Sequence, residues 1–271
     1  MLTGKRIIAW LTAVLLAFTA APLAASAATI EFTSTVKTTL DRTIAKADSG
    51  QADKLNARYN ELLSLLQQDD ELDARIKALH SGNTDAAAAL SKQIKGLDRE
   101  KLDKLTADVA QTKEKHKPLF TSYTDLNKQL ELARQLKNKP LTEMLRFQAE
   151  VVKLTVQAAR AEIKTKEEPL KAAKDTNAKL VKKIRAKLDD ADPLKEQIKA
   201  KQSAIKIAER GLSPLWNTFK QAAKQGDVSS TLETLSSLVT LSGQINDEKQ
   251  KIVALETKVS DIIAAAKAMI P

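Results

Sequence analysis

The chain has 271 residues, a formal charge of +10, no cysteine, seven glycines and 3% aromatic residues. This composition excludes a disulfide scaffold and a cysteine-ligated zinc site, and it leaves a β-sheet short of the residues sheets rely on. An α/β enzyme of this length needs many glycine-bearing strand-to-helix turns; Ala, Leu, Lys, Glu, Asp and Gln favour helix instead.

Lys5 and Arg6 precede an apolar run from Ile7 to Ala21, and Pro22 is followed by Leu23-Ala24-Ala25-Ser26-Ala27, with small residues where a signal peptidase reads. The layout predicts a signal peptide over residues 1–27 and a mature chain of residues 28–271 that begins at Ala28. A stretch of roughly 20 apolar residues can also span a bilayer, but Pro22 and the small-residue end favour cleavage. Removing Lys5 and Arg6 leaves a charge of +8. No second long apolar segment follows, so the expected product is soluble and extracytoplasmic, either secreted or associated with the cell envelope.

The remainder follows a helical period. Leu55, Leu62, Leu65, Leu72, Ile76 and Leu79 are spaced by sevens, threes and fours, with Asp69 intruding at one seam position. The alternation continues through Leu102, Leu105, Val109, His116, Leu119, Tyr123, Leu126 and Leu130, and through Leu194, Ile198, Ile205, Ala208, Leu212, Leu215 and Phe219. The last segment is the most regular: Leu238, Leu241, Ile245, Ile252, Leu255, Val259 and Ile262 fill a and d positions, with Glu248 the intruder. Turns are expected at Ser49-Gly50, Ser81-Gly82-Asn83, Lys137 to Pro140, Asp189 to Pro193 and Gln225-Gly226-Asp227. Asp192 before Pro193 predicts a capped helix start, and Ser230 with Glu233 predicts a capping box. The fold class is all-α: an elongated antiparallel helical bundle of coiled-coil hairpins.

Two patterns accompany this periodicity. Pro22, Pro118, Pro140, Pro169, Pro193 and Pro214 are each followed by leucine, as expected where proline starts or kinks a helix and leucine opens its buried face. Pro118-Leu119-Phe120-Thr121-Ser122-Tyr123 is echoed by Pro214-Leu215-Trp216-Asn217-Thr218-Phe219, which suggests an internal duplication around 118–129 and 214–225. These aromatics are expected to plug equivalent core positions.

Catalytic signals are sparse. Of the two histidines, His116 falls on the seam and His80 is expected at a helix C-terminus, where a cationic ring suits the helix dipole. Neither has a second histidine at metal-ligand spacing, and no phosphate-binding glycine loop is present. Asp69-Asp70-Glu71-Asp73 and Asp189-Asp190-Asp192 lack the glycine-centred spacing of a calcium loop and are expected to be solvated. No enzyme activity, cofactor or metal is expected.

Charge remains. Lys171, Lys174, Lys179, Lys182, Lys183, Arg185 and Lys187 face a single acid, Asp175, in their stretch. One-sided clusters bind polyanions by releasing counterions, whereas an ordinary charge run is only a solvated helix face. The expected partner is an anionic wall polymer or membrane surface. Aromatics that would stack bases are missing from this stretch, which weighs against nucleic acid. Protein partners gripped through the helical seams, as in a holdase-like chaperone or envelope adaptor, are the alternative, and the seams also suit self-association.

Overall fold

The computed structural model describes residues 30–271. The signal-peptide expectation lies outside these residues. Among the described residues every regular element is an α-helix: α1 (Ser34–Ile44), α2 (Ser49–Gly96), α3 (Arg99–Gln135), α4 (Lys139–Asp189), α5 (Asp192–Gln225) and α6 (Val228–Lys267). No described helix is long and apolar enough to cross a membrane. The chain divides into two compact units, one comprising residues up to Ser91 with Ala186–Pro271, the other Lys92–Arg185.

Helix ends follow backbone chemistry. Asp48 opens α2 by accepting the Gln51 N–H at 2.7 Å, so Ser49 and Gly50 are the first helical residues. Gly226 closes α5 at φ 70°, with the Gly226 N–H reaching Ala223 O and the Asp227 N–H reaching Ala222 O. This paired closure needs a left-handed residue, which glycine adopts without a Cβ penalty. Lys137 does the same work between α3 and α4 at φ 54°, although it carries a Cβ.

Several helix ends differ from those the sequence predicts. The cap of α6 is Asp227, whose side chain accepts from the Ser230 N–H at 3.0 Å, rather than a Ser230–Glu233 box. At α5 the cap position is Ala191, with no side-chain cap bond; Asp192 is already helical and pairs with Lys195. No turn forms at Ser81-Gly82-Asn83, because α2 runs on to Gly96 and turns at Leu97-Asp98. Of the prolines, Pro140 and Pro193 lie in first turns, while Pro118, Pro169 and Pro214 lie inside helices. The leucines after them are half-buried or exposed.

In the first unit α6 is the axis. Leu235, Leu238, Ile245, Ile252, Leu255 and Val259 are buried along one stripe, and Val239, Ser242, Asn246, Lys249, Val253, Glu256 and Ile263 along a second. Such two-sided burial places α6 between neighbours. On one side is α5: Lys201 pairs with Glu248, and Gly211 lies so close to Leu241 that a Cβ would sit 3.0 Å from its methyl. Rising numbers on α5 meet falling numbers on α6, so the two are antiparallel. On the other side Asn246 contacts Leu65 and Gln68, Lys249 contacts Asp69 and Asp73, and Glu256 contacts His80 and Asn83. Here both numbers rise, so α2 and α6 run parallel.

The end of this unit is aromatic. Trp216 stacks on Phe219 with centroids 5.1 Å apart, and Phe32 meets Tyr59 and Trp216 edge-on, both at 4.9 Å. Thr43 of α1 donates its hydroxyl to Ala223 O at 2.9 Å and is fully buried. Trp216 and Phe219 are core residues, as expected; Phe120 and Tyr123 of the echo are only half-buried. Trp216→Ala should therefore cost about 3–5 kcal/mol, read as a fall in the urea midpoint without loss of helical signature.

The second unit is built on α3 against α4. Val109, Thr112, Leu130 and Ala133 face Leu145, Ala149, Val156 and Ala159. Lys115 and His116 both reach Glu162, Lys113 reaches Glu167, and Asn177 donates to Leu97 O at 2.7 Å. Rising numbers on α3 again meet falling numbers on α4, the signature of a hairpin.

Candidate polyanion-binding face and buried polar seam

The seven cations singled out in the sequence all lie on α4, Lys171 to Arg185 in the second unit and Lys187 in the first. Lys187 is half-buried and paired with Asp190 at 2.9 Å. The other six are exposed, and among the described residues none forms an ion pair. Ala173, Asn177, Leu180, Val181 and Ile184 mark the inward line of this part of α4. By helical rotation Lys171, Lys174, Lys182 and Arg185 fall within roughly a quarter turn on one flank of that line. Lys179 and Lys183 fall on the other. The cluster is therefore a four-cation row with two outliers. Ion pairs flank it on both sides: Lys164 with Glu168 and Lys166 with Asp108 before it, and Lys187 with Asp190 after it.

The histidines are structural partners of glutamates. His116 Nε2 lies 2.7 Å from Glu162, whose carboxyl is held below the usual range by Lys115 and then His116. His80 is not at a helix end as expected. It sits mid-α2 with Nδ1 2.9 Å from the buried Glu256, and Asn83 donates to both Glu256 O and Oε2. No group of three or more metal-ligating side chains occurs among the described residues.

Of the acidic cluster expected to be solvated, Asp70, Glu71 and Asp73 are exposed but Asp69 is half-buried, and Asp69 and Asp73 are both paired. Both accept from Lys249, at 2.6 and 2.8 Å, and the Lys249 side chain is only 4% exposed. Burial alone would lower the Lys249 pKa, but the hydrogen bonds and charges of the two aspartates outweigh it and hold the group above its ordinary value. Asp69 is pushed up by burial, with Asp73 and Asp70 adding to the effect against Lys249. Glu209 of α5 is likewise raised by burial. Asn246 donates to Leu65 O at 2.9 Å one turn away, and its Oδ1, like the Ser242 hydroxyl, is buried with no partner among the described residues.

The seam was missed because Lys249 falls on the second buried stripe of α6, which the a and d positions of the first do not reveal. Its signal was the pairing of a lone seam acid, Asp69, with a lysine at the matching level of another helix. In comparisons with protein-family models, curated proteins and solved structures, nothing matches this chain.

Removing Lys249 leaves Asp69 desolvated without its cation. Because Asp69 and Asp73 keep side-chain exposures of 30% and 51%, the expected cost of Lys249→Ala is about 2 kcal/mol at pH 7, below that of a fully buried pair. A carboxyl with a raised folded pKa destabilises the fold fully above that pKa, and the penalty fades as pH falls through it towards the unfolded value of 3.8. The deficit of the variant should therefore shrink as pH falls from 7 to 4 and Asp69 takes up a proton, measured by urea unfolding at both pH values.

Proposed function

We propose that this chain is an exported, non-catalytic binding protein of the cell envelope, with α3–α4 and α5–α6 as coiled-coil hairpins, that holds an anionic cell-surface polymer on α4. The observation that carries the reading is the row Lys171, Lys174, Lys182 and Arg185, exposed and without ion pairs. Cations so placed repel one another along the helix, and a polyphosphate-type chain laid against them relieves that repulsion while releasing counterions. The export signal puts the protein where wall polymers and anionic lipid surfaces are the abundant polyanions.

Replacing the four row residues by glutamine should leave the circular dichroism spectrum unchanged. Affinity for purified wall teichoic-type polymer should fall roughly tenfold or more, and the slope of affinity against salt should flatten by about one per lost contact. Glutamine at Lys179 and Lys183 should do less. Equal binding and an equal salt slope in the row variant would reduce the row to a solvated face. Export itself is tested by intact mass of the protein recovered outside the cytoplasm, which should correspond to a chain starting at Ala28; retention of Met1–Ala27 would indicate an anchored protein.

A holdase or adaptor role is the second reading, favoured by a different observation. Leu132 and Leu136 near the end of α3, and Met144, Phe147, Val151 and Leu154 in α4, are all more than half exposed. Binding through these would persist at high salt, whereas polymer binding would not.

A further inference from the structure

The N-terminal half of α4 carries two heptad seams. Leu145, Ala149, Val152, Val156, Ala159 and Ile163 alternate by fours and threes and are buried or half-buried on the α3 side. Met144, Phe147, Val151, Leu154, Ala158 and Ala161 alternate by threes and fours on another face, and all six are exposed. Phe147 is 72% exposed and Leu154 69%. A helix face turned to water is ordinarily polar, and a continuous apolar stripe of this length marks a surface that something covers.

We propose that the outer seam is the interface of a parallel, in-register homodimer, its occupant being α4 of a second copy. Met144, Val151 and Ala158 take the a positions; Phe147, Leu154 and Ala161 take d. A β-branched residue at a followed by leucine at d, as in Val151 and Leu154, suits two parallel strands. The edges of the seam agree. One edge is Glu143, Glu150 and Gln157; the other is Gln148, Thr155 and Glu162. In a parallel pair opposite edges meet, so Glu143 faces Gln148, Glu150 faces Thr155 and Gln157 faces Glu162, with no like charges opposed. An antiparallel pair sets each edge against itself and brings Glu150 of both copies together.

The same edges argue against an anionic membrane as the occupant, since Glu143 and Glu150 border the apolar stripe. The exposed area of Leu141, Met144, Phe147, Val151 and Leu154 is on the order of 500 Å² per copy, so the pair reaches the ~1,000 Å² threshold of a specific interface. That size fits a reversible dimer. The interface is independent of the polyanion row, which lies further along α4.

The cysteine-free chain makes the register directly readable. Single variants Met144→Cys and Leu154→Cys, each made in the full chain and oxidised, should form disulfide-linked dimers, because in-register parallel pairing brings each position against itself. Sedimentation of the unmodified chain should show mass rising from monomer to dimer with concentration, and Phe147→Gln with Leu154→Gln should shift it to monomer with unchanged helicity. A chain that stays monomeric at every concentration overturns the proposal. So does cross-linking that appears only when the Met144→Cys and Leu154→Cys proteins are mixed, since that outcome requires antiparallel pairing.

Discussion

Two long helices with apolar seams can slide past one another by a heptad and lose little packing. What opposes this between α2 and α6 is Lys249, a nearly buried ammonium seated between Asp69 and Asp73. Shifted by one heptad, Lys249 would meet Ile76 or Leu62, and its charge would be buried without a counterion. The two polar contacts on either side share that register: Asn246 reaches the Leu65 carbonyl, and Asn83 reaches Glu256. Buried polar groups of this kind contribute little net stability but penalise every misalignment, as a single core asparagine does in a coiled coil. Once α2 and α6 are fixed, α5 follows, because the Gly226–Asp227 turn folds it back along α6 and Gly211 admits Leu241.

This dependence explains which parts of the fold were legible. Helical class, the turns at 137–140, 189–193 and 225–227, and the burial of Trp216 all follow from local composition and period. The expected break at Ser81-Gly82-Asn83 did not form because its asparagine is used between helices. Asn83 is 3% exposed and donates to both the backbone carbonyl and the carboxylate of Glu256 on α6. A glycine inside a helix costs only about 1 kcal/mol, which interhelical bonds of this kind offset. The real turn, at Leu97-Asp98, carries a left-handed aspartate at φ 55° and no proline, so it offers little local signal beyond Gly96. Parallel α2 and α6 were likewise beyond reach of turn-counting, since they are not consecutive in the chain.

The candidate site divides the same way. The cation row was visible as a run of lysines, but a run does not say which side chains share a face or lack partners. Rotation along α4 separates four from two, and the Lys187–Asp190 pair removes a seventh. The echo at 118–129 and 214–225 also parts in three dimensions. Trp216 and Phe219 close the aromatic end of one unit, whereas Phe120 and Tyr123 stay half-buried beside Arg160 and Glu167 in the other. Similar sequence thus met different neighbours, and burial followed the neighbours rather than the motif.

Helix α4 is asymmetric along its length in a way that bears on function. Up to Ile163 its sequence supports two apolar seams, and after Pro169 it supports one, with lysines occupying the face that the second seam has left. Lys179 and Lys183 lie on the flank that carries Phe147 and Val151 further up the helix. A mate packed on the outer seam could not continue past this point without bringing Lys179 and Lys183 of both copies together. Like charges at close range are destabilising, so the cations would set a C-terminal limit to the proposed pairing. In the proposed dimer the same repulsion would keep the basic row open to solvent and accessible to a polyanion. The proposed self-association and polyanion binding would then occupy successive lengths of one helix, without either surface obstructing the other.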